Sequence, residues 1–322
     1  MTQATNATSG KSQPIVSTRR IKRPERIEEL INSELMSKLD QLDVVSRKIF
    51  TGKLQGERRS KRRGQSVEFA DYRNYVPGDD LRYIDWNVYG RLDQLFLKLF
   101  LEEEDLSLYL VLDTSESMNY GEPDKLIFCQ QLAMALGYIG LVNYNRITMA
   151  SFNEGRINLL SNLRGRRKTR QMGQWLLDLE PGGGTDFDTA MRSLAIGREG
   201  RGVMVVLSDF LYKTGYEKGL RYLMGGGFDT YVLQVFSPQE IDPVGTNALS
   251  GDLKLRDVED GDISEVTISG ALLKRYKENM NAYCAKLREH CVRRSMIHMV
   301  LRTDMSMETL VLEYLRKRGL LR

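Results

Sequence analysis

The chain has 322 residues and a formal net charge of +4. That length is enough to bury a full core and still hold a smaller second unit, while so small a net charge excludes a global field aimed at nucleic acid. Its three cysteines, Cys129, Cys284 and Cys291, are an odd set without metal-ligand spacing, which fits a reducing compartment.

Taken in order, Met1 to Pro24 is rich in Ser, Thr and Gln with late basic residues, has little to bury, and reads as a mobile basic tail (1–24) lacking the apolar stretch of a signal peptide. No uninterrupted apolar run is long enough to cross a bilayer, so a soluble, cytoplasmic protein is expected. From Arg26 onward Ile27, Leu30, Ile31, Leu35, Leu39 and Leu42 share one helical face, which predicts a helix packed on the main domain. Lys53, Arg58, Arg59, Lys61, Arg62 and Arg63 then form a basic stretch, matched later by Arg164, Arg166, Arg167, Lys168 and Arg170. Each cluster reads as a solvated face or as a surface for an acidic partner.

Pro77-Gly78-Asp79-Asp80 has the chemistry of a turn. The charges around it, Arg73, Asp79, Asp80, Arg82, Asp85 and Arg91, are too many for a packed strand and predict an ion-pair network tying this segment to the main domain. Asp79 and Asp80 could also cap a helical turn, or an aspartate here could approach a metal or a partner.

Leu106 to Leu112 is an apolar run that reads as a buried strand, and Asp113-Thr114-Ser115-Glu116-Ser117 follows it directly. The strand therefore delivers Asp113 to the carboxyl edge of a sheet, where α/β proteins bind ligands. Asp113, Ser115 and Ser117, at alternate positions, can converge on one hard cation such as Mg²⁺ or Mn²⁺. One carboxylate with neutral hydroxyls leaves such an ion with residual positive charge, and so with affinity for an outside anionic oxygen.

Beyond this point helices are expected over Lys125–Val142, Thr169–Leu179, Phe187–Ile196 and Tyr216–Met224. Strands are expected over Arg146–Phe152, Ile157–Leu160, Val203–Leu207 and Thr230–Phe236. This alternation predicts an α/β fold, a doubly wound and mostly parallel sheet. Lys254–Val258 and Glu265–Ile268 read as an inserted β-hairpin (within about 241–270) that pairs with the Val67–Trp86 segment in a small accessory lobe. A long helix over Leu272–Cys291, a strand over Met296–Leu301 and a helix over Met307–Arg318 complete the chain.

Asp-x-Ser-x-Ser after a buried strand resembles the metal-ion-dependent adhesion site of von Willebrand factor A domains. That resemblance implies two further ligands from later loops: Thr185, in Pro181-Gly182-Gly183-Gly184-Thr185-Asp186, and Asp209, after Val203 to Leu207. Glu68-Phe69, Arg73-x-Tyr75, Pro77-Gly78-Asp79-Asp80-x-Arg82, Ile84-Asp85-Trp86, Arg91 and Glu102-Glu103-Glu104 resemble the signature of the DUF58 family. Asp257 to Gly261, Tyr276, Thr303-Asp304 and the closing helix continue the likeness, although Ser66 and Gly90 stand where glycine and alanine are usual. The resemblance divides the chain into a tail, an N-terminal helix with the signature region (25–105) and an A-type domain (106–322).

For function the resemblance implies a non-enzymatic adaptor or co-chaperone of a MoxR-type AAA+ ATPase. On this reading it captures an acidic side chain of the ATPase or its client through a metal held by Asp113, Ser115, Ser117, Thr185 and Asp209. The alternatives are a Mg-dependent phosphatase-like hydrolase using Asp113 as nucleophile and a polyanion-binding protein using the basic clusters. Against the first, Ser115 stands where such enzymes place a second carboxylate, and His290 and His298 lie far along the chain. Against the second, the basic clusters lack interleaved aromatics.

Overall fold

The computed structural model describes residues 22–46, 68–101, 106–154, 156–197, 201–224, 228–243, 252–256, 263–267 and 269–322. Most of the tail, the Lys53 to Arg63 cluster, Glu102 to Glu104 and Asp257 to Gly261 lie outside the described residues.

The main sheet has six strands in the order β10-β7-β6-β3-β4-β5. They are β3 (Leu106–Asp113), β4 (Arg146–Asn153), β5 (Arg156–Leu163), β6 (Arg201–Ser208), β7 (Phe228–Phe236) and β10 (Ile297–Arg302). Every pairing is parallel except that of β4 with β5, so the expected mostly parallel sheet is present, with an antiparallel strand at one edge.

β3 is buried along its whole length because both faces are covered. Leu106, Leu108, Leu110 and Leu112 point into one core with α4 (Lys125–Val142) and α5 (Thr169–Leu177). Tyr109 and Val111 point into the other, with α6 (Phe187–Gly197), α7 (Glu217–Tyr222) and α9 (Gly270–Val292). Alternation of side chains across a strand makes this two-sided burial possible only for a continuous apolar run.

α4 carries apolar residues nearly all round and is capped at its start by Asp124, whose side chain accepts the Ile127 N–H. By length and composition alone it could span a bilayer, contrary to the expectation that no segment could, but 83% of its length is buried inside this fold. Complete encirclement by sheet and helices explains its composition.

The N-terminal stripe packs on the main core as expected, through Leu30, Ile31, Leu35, Leu39 and Leu42. It is two helices rather than one, α1 (Ile27–Leu30) and α2 (Ser33–Leu39). The break falls at Asn32, whose side chain accepts the Leu35 N–H at 2.7 Å and restarts the helix.

The accessory strands pair differently from expectation. β1 (Glu68–Asn74) is antiparallel to β2 (Phe96–Leu101), an apolar run not assigned from sequence, while β8 (Asp252–Arg256) pairs only with β9 (Ile263–Thr267) among the described residues. Between β1 and β2 runs α3 (Trp86–Leu92), capped by Asp85 through the N–H groups of Asn87 and Val88. Asp80 caps the short 3₁₀ turn Leu81–Tyr83. Among the described residues the charges of this segment pair locally, Arg73 with Asp79, Arg82 with Asp80 and Lys98 with Asp85, rather than with the main domain. Several aromatic side chains of this segment face outward, and Trp86 is 60% exposed.

The chain closes with α10 (Met307–Thr309), a π turn (Leu310–Tyr314) and α11 (Leu315–Lys317). A bridge between Val44 and Leu321 joins its end to the segment after α2.

β6 approaches β3 closely at Gly202, where a Cβ would lie 1.9 Å from the Ser107 carbonyl oxygen. Gly202→Ala is expected to lower unfolding free energy by about 3 kcal/mol, the upper range of overpacking penalties. At Gly90 a Cβ meets nothing within 4 Å, so Gly90→Ala should not lower it. Urea titrations of the two variants check both.

Candidate metal centre

β3 is where the sheet's winding reverses: β4 lies on one side and β6 on the other. The crevice beyond the carboxyl ends of such strands is the usual ligand position in α/β sheets. Leu112 is level with Leu207, so the register sets Asp113 beside Ser208 and Asp209.

Asp113 has no exposed surface. Its Oδ1 accepts the Ser115 N–H at 2.9 Å, and its Oδ2 lies 2.8 Å from both the Ser208 and the Tyr212 hydroxyls. Those two hydroxyls are themselves 2.7 Å apart. Two protons cannot fill all three edges of this triangle. Burial, and then the charge of Asp209, push the Asp113 carboxyl up to about 6, because a buried site disfavours two carboxylates ionised together.

Two of the hydroxyls expected to join Asp113 come from the residues directly after it. Ser115 is buried, Ser117 is half-buried, and their Oγ atoms are 3.1 Å apart. The glycine loop is stitched onto the same corner: Gly182 N–H donates to the Thr114 carbonyl at 3.0 Å, and Gly183 and Gly184 carbonyls accept from Glu116 and Glu154 at 3.0 and 2.8 Å. Gly183 has φ 69°, a backbone conformation that favours glycine, and its Cα faces the Glu154 side chain. The loop delivers Thr185 to this corner, and its Oγ1 is buried without a hydrogen-bond partner. Orphaned buried hydroxyls are uncommon and mark a position suited to an unseen partner.

Asp209 is held differently from a bare ligand. Its Oδ1 accepts the Leu211 N–H at 3.1 Å, and its Oδ2 is 2.8 Å from Lys125 Nζ. Lys125 also reaches Glu240 Oε1 at 2.6 Å. Burial pulls the ammonium down, but the Asp209 and Glu240 carboxylates overcome it, and its pKa lies above the ordinary lysine value. Lys125, Glu240, Ser208 and Tyr212 were not identified from the sequence as parts of this corner. The partial signals were Ser208, directly before the second strand-end aspartate, and a lysine at the start of an otherwise apolar helix.

The donor set is oxygen throughout: two carboxylates and three hydroxyls, which fits a small hard divalent ion better than a soft metal. Among the described residues no three His, Cys, Asp or Glu side chains converge, so the hydroxyls are indispensable to any such site. Neither histidine serves Asp113: His298 Nε2 lies 3.0 Å from Gln234 Oε1, and the His290 ring packs edge-on to Tyr216.

The geometry defines an α/β protein with an oxygen-lined corner at its strand ends. The family model described as "Protein of unknown function DUF58" matches residues 71–286, two thirds of the chain, and the chain belongs to that family. The uncharacterized protein Rv1480 of Mycobacterium tuberculosis is 25% identical over 244 residues, covering 74% of this chain and 75% of its own. The uncharacterized protein Mb1516 of Mycobacterium bovis matches over the same shares. Among solved structures, an aerotolerance-related membrane protein from Bacteroides fragilis aligns with a TM-score of 0.37 and 16% identity, over 66% of this chain and 99% of that one. The SpRpn10 VWA domain aligns at 0.33 and 12%, over 65% and 94%.

Tyr212→Phe removes one of the two hydroxyls on Asp113 Oδ2. Loss of a hydrogen bond to a buried carboxylate is expected to lower unfolding free energy by roughly 1.5–3 kcal/mol, measured by urea titration at pH 7.

Proposed function

We propose that this protein is a non-enzymatic, metal-dependent binding module whose cation captures an acidic side chain of a protein partner. Asp113, Ser115, Ser117, Thr185 and Asp209 would hold the ion, Mg²⁺ or Mn²⁺. When bound, it supplies a positive centre for an incoming carboxylate. The observation that carries this reading is the convergence of three separate loops on one strand-end corner, with the buried Thr185 Oγ1 left unpartnered.

Charge supports it as well. Only two of the proposed ligands, Asp113 and Asp209, are carboxylates, and Asp209 is shared with the Lys125 ammonium, which would leave a divalent ion with residual positive charge. Ser117 is half-buried rather than sealed, which supports access to that corner from outside. Catalysis finds less support: the position two residues beyond Asp113 is Ser115, which lacks the carboxylate an acid–base partner would need.

The partner is proposed to be a MoxR-type AAA+ ATPase, with this chain as its adaptor in the cytoplasm. That assignment rests on the family resemblance, whereas the side chains speak only to the capture of an acidic group. In affinity capture with Mg²⁺, a MoxR-type ATPase should be retained by the wild type and lost with EDTA, with Asp113→Ala and with Ser117→Ala, while circular dichroism shows both variants folded. Retention unchanged by EDTA and by Asp113→Ala would remove the metal from the contact.

A further inference from the structure

Lys125 opens α4 at a position where a lysine would ordinarily reach water, yet its side chain is 1% exposed. A lysine ammonium is strongly hydrated, and burying one is costly without close partners. Asp209 Oδ2 at 2.8 Å and Glu240 Oε1 at 2.6 Å are those partners.

Glu240 is firmly placed. Its Oε2 accepts the Ser237 N–H at 2.7 Å as part of a capping box on the short helix α8 (Pro238–Ile241). Gln239 exchanges two hydrogen bonds with the Glu122 backbone, and the Tyr276 hydroxyl donates to the Glu240 carbonyl at 2.7 Å. Anchored on that side, the ammonium cannot swing away from Asp209.

We infer that Lys125 is a positioning residue that holds a cation at this corner under-neutralised, trading tightness of metal binding for attraction to an outside carboxylate. The inference rests on the cation-site reading above. Both Asp209 oxygens are already engaged, one by an N–H and one by the ammonium. An ion there shares Asp209 with a fixed positive charge, which repels it and withholds part of the carboxylate's charge from it. The same sharing leaves the ion more of its own charge for an incoming anion.

The test titrates metal-free protein with MnCl₂, following free Mn²⁺ by electron paramagnetic resonance, for wild type, Lys125→Met, Lys125→Gln and Asp113→Ala. Acetate binding to the Mn²⁺-loaded proteins is then followed by water-proton relaxation. Both Lys125 variants are expected to bind Mn²⁺ about tenfold tighter and acetate more weakly than wild type. A merely structural lysine would weaken both. If a Lys125 variant unfolds without metal, release of Mn²⁺ from its refolded, loaded form into excess EDTA is timed instead, release slower than from wild type being the result expected and release as fast or faster overturning the inference. Unchanged or weaker Mn²⁺ binding in both variants, or failure of both to fold even with Mn²⁺, overturns the inference. Absence of Mn²⁺ binding by wild type, or binding undiminished in Asp113→Ala, overturns instead the cation-site reading on which it rests.

Discussion

Everything at the candidate centre depends on a carboxylate that has been carried out of water. Asp113 ends a strand covered on both faces, so its charge cannot be met by solvent and must be met by neighbours. The Ser115 N–H, the Ser208 and Tyr212 hydroxyls and the surrounding loops answer that requirement. Their placement follows from sheet register: β6 runs parallel to β3 and ends at the same level, so its last residue and the next fall beside Asp113. The corner is thus a product of backbone pairing before it is a product of side-chain chemistry.

The second organising contact is the Lys125 pair with Asp209 and Glu240. Such buried pairs contribute little net stability compared with well-packed apolar groups, because desolvation offsets much of the attraction. What they do impose is geometry. One ammonium bound to residues following β6 and β7 ties the start of α4 to two strand ends at once. The loop before α4 is held to the same short helix by Gln239 and the Glu122 backbone. A rigid corner of this kind suits recognition by a fixed constellation better than by a loop that must order on binding.

The core was legible because its periodicities were strong. β3 and β6 are built on continuous apolar runs, and α4 is long and apolar nearly all round. The loops that carry Asp113, Thr185 and Asp209 were legible through their order; sheet register sets the first beside the third, and backbone hydrogen bonds tie the glycine loop to the first. What escaped notice depends on distance along the chain. Lys125 gives no local sign that Asp209, 84 positions away, will neutralise it. Tyr212 reads as an ordinary aromatic until the turn after β6 aims its hydroxyl inward. The accessory strands were mispaired because Val67 to Trp86 was matched to the more distant hairpin, while Phe96 to Leu101, within reach of a short helical connection, went unassigned. The division of the first helix at Asn32 turned on a single side chain competing with the backbone for hydrogen bonds.

The chain's two tryptophans sit in contrasting surroundings. Trp175, on α5, is partly buried against the main core, whereas Trp86 begins α3 and is largely open to solvent. Their emission therefore separates into a quencher-shielded component from the body of the molecule and a quencher-accessible one from the β1–β2 lobe. Any macromolecule that settles over that lobe would announce itself as a blue shift in the second component alone, an intrinsic optical marker that needs no label.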